Sequence, residues 1–210
     1  MVKHLWWLGV ALVSASVWAQ ADGAGRPVAK VGDVAVYAVE QRTDRRSFDE
    51  TVTVTLVDQT HIKSSHVRPI RNPPEMEGVV TLDWGTVVSG ASGTRFDPPI
   101  AGFKFPLVVG DGWKSSFVGE GNNAKSKTDL EFKVVAREKV KTPGGEFDAF
   151  KIESEGWING ITWAGAIRMT EVRWYAPAIG RVVKSEHKDF RSGRLWTDTV
   201  LELKSFKSAP

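Results

Sequence analysis

Thr51-Val-Thr-Val-Thr-Leu-Val57 alternates apolar and polar residues with a period of two. Val52, Val54 and Leu56 would share one face of an extended chain, because successive side chains of a β-strand point to opposite faces. Such alternation in β-branched residues is typical of an antiparallel strand with one buried face. Residues 130–136 repeat the pattern. The sequence therefore predicts antiparallel sheet.

Weaker alternation predicts further strands, and no long segment shows a capped helical period. These strands are expected at 34–42, 61–67, 79–84, 113–118, 147–155, 167–175, 182–190 and 195–206. Without helices to connect parallel strands, neighbouring strands should be antiparallel and joined by hairpins. The predicted fold is all-β or β-dominated, with a single antiparallel curved sheet, half-barrel or barrel. A β-sandwich is the alternative.

Three turn motifs predict consecutive hairpins in the second half of the chain. Asn159-Gly160 lies between Trp157 and Trp163, and Asn-Gly suits the two positive φ angles of a type I′ turn. That turn would place the two indole rings near one another across the strands. Pro143-Gly144-Gly145 and Ser192-Gly193 predict the other two reversals.

Proline-rich and glycine-rich stretches predict loops in the middle of the chain. Residues 68–77 and 90–106 each contain three prolines, which cannot donate a hydrogen bond to a sheet. Residues 119–127, with two adjacent asparagines, are predicted as a mobile loop. No segment resembles an interdomain linker, so residues 22–210 are predicted to form a single β-rich domain.

The first 21 residues predict a secretory signal peptide. Lys3 supplies a basic start, residues 5–13 are apolar, and Ala19-Gln20-Ala21 fits a small-residue cleavage site. Cleavage is expected after Ala21, with Ala19 as the alternative. The apolar run is shorter than the roughly 18 residues that span a bilayer, so no integral membrane segment is expected after signal removal.

Composition narrows the function classes. The chain contains no cysteine, which argues against a lipid-modified cysteine, a catalytic thiol and a thiolate metal site. Acidic and basic residues are mixed along a chain of net charge +3, and such a balance is not typical of nucleic-acid binding. A periplasmic or secreted protein that is soluble and not lipid-anchored is expected, with no cofactor and no nucleic-acid partner.

Motifs for catalysis are weak. His61 and His66 are five residues apart, which places them on opposite faces of a regular strand, so no metal site is expected. The serine pairs at 64–65 and 115–116 lack the surroundings of a nucleophile elbow. Glu153 and Glu155 share a strand face, as glycosidase carboxylates could, although exposed acids commonly occupy such positions. Enzyme activity is uncertain, and a non-enzymatic role is favoured.

Four stretches resemble a known group of proteins. They are 103–113, 140–152, 174–186 and 202–206, and they carry the patterns P-L-x-x-G-x-x-W, T-P-x-G-x-F-D-A-x-K-I and W-Y-A-P-x-x-G-x-V-K. The chain resembles a widespread family of uncharacterised exported β-proteins of diderm bacteria, a domain of unknown function. The resemblance implies an envelope protein with a curved sheet or incomplete barrel, similar to lipoprotein-carrier folds. It implies no established catalytic residues.

Aromatic residues within and near these motifs are the candidate ligand-binding residues, since indole and phenol groups combine apolar surface with a polar handle. They are Trp113, Trp157, Trp163, Trp174 and Tyr175. The competing interpretation is that these rings only pack within the sheet. The preferred function is a periplasmic binding or carrier module for an apolar small molecule. The alternative is an interaction or structural module that meets an envelope protein or peptidoglycan, and a glycan hydrolase is the third hypothesis.

Overall fold

The computed structural model describes residues 23–210, which form fourteen β-strands. Within this part of the chain, no helix is long and apolar enough to cross a membrane. The predicted signal peptide and its cleavage site lie outside the described residues. The strands are β1 Gly23–Ala24, β2 Val34–Gln41, β3 Arg46–Val57, β4 His61–Val67, β5 Glu75–Thr81, β6 Thr86–Val88, β7 Arg95–Ile100, β8 Leu107–Val108, β9 Gly112–Gly121, β10 Ala124–Thr142, β11 Gly145–Gly160, β12 Ala166–Ala176, β13 Arg181–Arg191 and β14 Arg194–Lys207.

Twelve strands form a closed antiparallel barrel in the order β10-β11-β12-β13-β14-β2-β3-β4-β5-β6-β7-β9, with β9 pairing back onto β10. The two remaining strands, β1 and β8, form a small separate sheet. The all-β antiparallel prediction is therefore confirmed in its barrel form. Each strand predicted from the sequence also has a counterpart in the structure.

The alternation that predicted β3 is observed up to a β-bulge. Val52 and Val54 line the barrel interior, whereas Leu56 is exposed. The register with β4 shifts between Val54 and Leu56, and one extra residue reverses the side to which later side chains point. The expectation that Leu56 faces inward was wrong for this reason.

The interior between β9 and β12 is filled with apolar side chains. Phe132, Ile152 and Tyr175 are buried at its centre, and the rings of Phe103 and Phe105 pack against Tyr175 at 5.5 and 5.7 Å. Closely packed rings leave little free space on this side of the barrel. The remaining free space lies on the opposite side.

The tip of the β10–β11 hairpin folds over the outer face of β12, β13 and β14. The Gly144 amide donates to the Leu203 carbonyl oxygen at 2.8 Å. Trp174 points outward, since its neighbour Arg173 lines the interior. It is nonetheless buried, and its Nε1 donates to Glu138 Oε1 at 2.7 Å. Val140 and Phe147 of the hairpin pack against a second apolar cluster that includes Trp174.

Two of the three predicted turns are confirmed, and the Asn-Gly turn was wrong. Strand β11 continues through Gly160, and residues 161–165 connect it to β12. Neither Asn159 nor Gly160 has the positive φ of a type I′ turn. The Gly160 amide instead donates to the Gly165 carbonyl oxygen, which closes a longer loop. Trp157 is therefore a register partner of Arg168, not of Trp163.

Two predicted loops also contain regular structure. Residues 119–127 form a tight hairpin whose turn residues Asn122 and Asn123 have φ angles of 50° and 59°, which asparagine tolerates better than most residues. Residues 90–106 contain β7, which pairs with β9 only through residues 95–97. Pro98 and Pro99 come next, and they lack the amide N–H groups that a longer ladder would need.

Candidate functional site

A cavity of about 340 Å³, partly open to solvent, lies in the barrel on the side of β2 to β6. Its volume falls within the roughly 300–1,000 Å³ that is typical of small-molecule sites. Apolar side chains cover much of its wall, and charged groups from β3, β4, β12 and β13 also face it. The apolar part of the lining consists of Ala35, Val52, Val54, Ile62, Val80, Trp84, Val88, Ala91, Val182 and Leu201.

A hydrogen-bonded group forms one end of the cavity. Glu50 on β3 is only 3% exposed, and its two oxygens accept from His66 Nδ1 at 2.9 Å and from Arg68 Nη2 at 2.7 Å. The other ring nitrogen of His66, Nε2, lies 2.9 Å from Ser64 Oγ. Ser64, His66 and Arg68 alternate along one strand and its extension, so their side chains reach the same face.

Burial alone would raise the pKa of Glu50, but the hydrogen bonds from His66 and Arg68 hold that pKa below its ordinary value. The carboxylate is therefore ionised at neutral pH. As an acceptor, it fixes the His66 proton on Nδ1 and leaves Nε2 as an acceptor for the Ser64 hydroxyl.

Two glycines make room for the His66 ring. A Cβ atom on Gly90 would lie 2.2 Å from His66 Cδ2, and one on Gly78 would lie 2.6 Å from His66 Nε2. Both distances are far below van der Waals contact, so only glycine fits beside the ring. The contacts of Nδ1 with Glu50 and of Nε2 with Ser64 set the direction of the ring.

A second charged group lies at the other end of the cavity. Arg181 Nη2 donates to Asp33 Oδ2 at 2.8 Å, and both side chains are buried. The Arg181 guanidinium also stacks 4.9 Å from the Trp84 ring. Glu50 and Val54 are four residues apart on β3, and Val54 lies beside Asp33 through the backbone hydrogen bond between them. The two ends are therefore about 13 Å apart at about 3.3 Å per residue.

The wall formed by β12 carries a third ion pair, in which Arg173 Nη2 lies 2.6 Å from Glu171 Oε2. Beside it, His187 Nε2 and Asp189 Oδ1 are 3.1 Å apart, although Asp189 Oδ1 lacks hydrogen-bond geometry with any described residue. Burial would lower the pKa of His187, but the carboxylates of Asp189 and Glu171 raise it above its ordinary value. The interior thus pairs its charges locally.

Two buried donors that belong to cavity-lining residues have no hydrogen-bond partner within residues 23–210. They are Arg68 Nε and Trp84 Nε1. A buried N–H without a partner costs roughly 1–3 kcal/mol, so such groups commonly mark a place where a ligand or water supplies the acceptor. Both residues line the cavity, and the two N–H groups themselves are covered by neighbouring atoms.

The structure does not bring the five predicted aromatic residues together around this cavity. Trp113 stacks on Phe132 and donates from Nε1 to the Ala101 carbonyl oxygen at 2.6 Å. Tyr175 and Trp174 belong to the two apolar clusters described above.

The other two lie elsewhere: Trp157 is 52% exposed, and Trp163 lies near the Arg191 guanidinium. A ligand-binding role for the five aromatic residues remains a prediction.

The acidic pair considered for glycan hydrolysis faces solvent. The Glu153 and Glu155 side chains are exposed and form ion pairs with Lys151 and Arg168 at 3.2 and 3.0 Å. The two histidines of β4 lie on opposite faces, as their spacing predicts. His66 faces the cavity, whereas His61 Nδ1 contacts Thr60 Oγ1 near the surface.

The residues around the cavity were missed because their signal is spread over several strands. Glu50 is two and four residues from Val52 and Val54, and Ser64 is two residues from His66. The period of two in a strand could therefore have placed each of these sets on one face. Nothing local shows that these two faces meet, because that depends on the register between β3 and β4. Trp84 lies in a turn with a positive φ of 60°, for which the sequence has no pattern.

Comparisons with known proteins show what this chain is similar to. Residues 113–201 match the family model described as DUF3108-like. No curated protein matches the chain significantly.

A crystal structure of a protein from Bacteroides fragilis, proposed to be exported and to have a YmcC-like fold, matches with 18% identity and a TM-score of 0.56, over 88% of this chain and 100% of that one. A proposed lipoprotein from Parabacteroides distasonis matches with 13% identity and a TM-score of 0.49, over 89% and 100% of the two chains.

The hypothetical lipoprotein YmcC from Escherichia coli matches with 12% identity and a TM-score of 0.46, over 84% of this chain and 85% of that one. The comparisons confirm the resemblance to uncharacterised exported β-proteins: residues 113–201 match the DUF3108-like model, and the barrel is similar to the YmcC-like fold of the Bacteroides fragilis protein.

Proposed function

We propose that this chain is an exported binding or carrier module whose barrel cavity holds a small molecule with an apolar chain and a hydrogen-bond-accepting group. The observation that carries the proposal is the cavity of about 340 Å³, with its apolar wall and two unpartnered donors. Apolar lining with a few polar groups is the usual composition of small-molecule sites. The acceptor would satisfy Trp84 Nε1 or Arg68 Nε.

Two further observations support an extracytoplasmic location. The first 21 residues have the order of a signal peptide. The protein from Bacteroides fragilis with the similar fold is described as a proposed exported protein. The absence of cysteine also agrees with a chain that is not anchored through a lipidated cysteine.

Native mass spectrometry of the purified protein, followed by titration with a fluorescent fatty acid, tests the binding role. We expect a retained apolar molecule or saturable binding, and we expect the variant W84F to bind more weakly because it lacks the indole N–H. The matched variant W196F changes an exposed tryptophan and should bind like the wild type. Ligand-free protein without saturable binding would overturn the proposal.

A second candidate is an envelope interaction module, and one surface feature favours it. Trp157, Ile161, Leu195 and Trp196 are all about half exposed or more, and they lie at the same end of β11, β13 and β14. Exposed clusters of this kind commonly mark contact sites. Co-sedimentation with purified peptidoglycan that is lost in W196S but kept in W84F would favour this role over the carrier.

A further inference from the structure

Three side chains at one end of the cavity have the arrangement of a nucleophile, a base and an orienting acid. Ser64 Oγ lies 2.9 Å from His66 Nε2, and His66 Nδ1 lies 2.9 Å from Glu50 Oε1. Nucleophile and base within about 2.6–3.2 Å, with a third group orienting the base, is the general signature of an activated serine. It is recognised by geometry and not by sequence position, so the missing nucleophile elbow does not exclude it.

The proton positions suit this role. The ionised Glu50 carboxylate accepts a hydrogen bond from the Nδ1–H group of His66, and its other oxygen accepts one from Arg68. His66 Nε2 is then free to accept the Ser64 hydroxyl proton. Gly78 and Gly90 make room for the ring beside Ser64, where a Cβ atom would collide with it, and the hydrogen bonds to Glu50 and Ser64 orient the ring before a ligand binds.

The surroundings of Ser64 suit an acyl group. Ser64, His66 and Glu50 all line the cavity whose wall includes Val52, Val54 and other apolar side chains. A negatively charged oxygen formed during acyl transfer needs donors that are already in place. Arg68, whose Nε is unpartnered, lies at the same end of the cavity as Ser64.

We propose that Ser64, His66 and Glu50 form a catalytic triad that hydrolyses an ester of an apolar acyl chain held in the barrel cavity. Ser64 Oγ forms a bond to the acyl carbon while His66 Nε2 takes the hydroxyl proton. The ester C–O bond then breaks, and His66 returns that proton to the departing alkoxide. Water next attacks the acyl-serine, loses its proton to His66 and releases the carboxylic acid, and Ser64 regains its proton.

This inference rests on the proposed binding role of the cavity, and a serine-directed fluorophosphonate with an alkyl chain tests it separately. The probe forms a bond between phosphorus and Ser64 Oγ and releases fluoride, and peptide mass spectrometry locates the adduct. We expect the adduct on Ser64 in the wild type and in S65A, and no adduct in S64A. Ser65 is a matched control because it faces outward and contacts Glu75. We expect H66Q to be labelled at least about 100-fold more slowly, within the range for losing a general base.

A second measurement uses the cysteine-free background of the chain. S64C should react with iodoacetamide faster at neutral pH than S65C, because His66 draws the proton from the thiol. This result does not depend on how well S64A folds. Equal reactivity of the two thiols would contradict the proposal.

The outcomes separate the two functions. An adduct on another serine, or no adduct while the fatty acid binds saturably, overturns the triad and leaves the carrier role standing. No adduct and no fatty-acid binding overturns both. Hydrolysis of p-nitrophenyl octanoate by the wild type and S65A, with loss of that activity in S64A, supports the triad directly.

Discussion

Glu50 is the residue on which the polar end of the cavity depends. Its carboxylate is nearly inaccessible to solvent, yet it joins His66 from one side and Arg68 from the other. Removing one member of a buried ion pair leaves an uncompensated charge and costs roughly 3–5 kcal/mol. The two partners are 21% and 16% exposed, so water offsets part of that cost.

We therefore expect E50A to lower the free energy of unfolding by about 3 kcal/mol, at the low end of the range for a broken buried pair. The matched control is E77Q, because Glu77 lies on the exposed surface and pairs with Lys63. That change should cost at most about 1 kcal/mol, as exposed pairs do. Urea denaturation measures both, and equal losses would contradict the importance of the buried group.

His187 should make stability depend on pH in the opposite sense from the carboxylates. Its folded-state pKa is raised above 6.5 by Asp189 and Glu171, against the lowering effect of burial and of the nearby Arg173. A raised pKa contributes stability that is fully present below the unfolded value, near 6.5, and is lost as the pH rises through the folded value. We expect H187Q to remove this loss of stability above pH 6.5. Denaturation from pH 5.5 to 9 measures it, and a wild-type slope in H187Q would contradict the prediction.

At the scale of single elements, sequence pattern predicted strands better than their connections. Alternation in residues 51–57 and 130–136 reports burial along one strand, which is a local property. The connection after Gly160 is different. It depends on the Ile161 and Thr162 amides, which donate to the Lys125 carbonyl oxygen of β10, a contact that no local motif encodes. The bulge after Val54 was missed for the same reason, since a bulge is defined by its partner strand.

The β10–β11 hairpin was predicted from the sequence only in part. Its turn at Pro143-Gly144 was predicted, but its docking on β14 was not. A Cβ atom on Gly144 would lie 2.9 Å from the Leu203 carbonyl oxygen. We expect G144A to destabilise the protein by about 1–3 kcal/mol, as overpacking does, and to speed hydrogen exchange in the hairpin tip. G25A is the control, because a Cβ atom there meets nothing within 4 Å. A stability change no larger than that of G25A would contradict the docking.

At the scale of the whole molecule, the barrel is closed unevenly. Strands β2 and β3 pair continuously from Val34↔Thr53 to Gln41↔Arg46. By contrast, β7 and β9 pair only from Arg95↔Glu120 to Asp97↔Val118. A ligand that enters through the barrel wall must separate two strands. The shortest ladders of the barrel are β5–β6, β6–β7 and β7–β9, with two or three register pairs each, and short ladders open at lower free energy than long ones. The β7–β9 seam is therefore one of three expected routes of access to the proposed ligand site.

A disulfide across this seam tests that route in a chain that has no cysteine of its own. Antiparallel register partners have Cα atoms about 4.5–5.5 Å apart, inside the disulfide range of about 4.4–6.8 Å. We expect oxidised R95C/E120C to bind a fluorescent fatty acid more slowly than its reduced form in stopped-flow measurements, with unchanged affinity. The disulfide restricts the opening of the two strands but leaves the cavity intact. Oxidised E40C/S47C, placed across the continuous β2–β3 ladder, should bind at the wild-type rate. If both disulfides leave the association rate unchanged, the ligand reaches the cavity by another route.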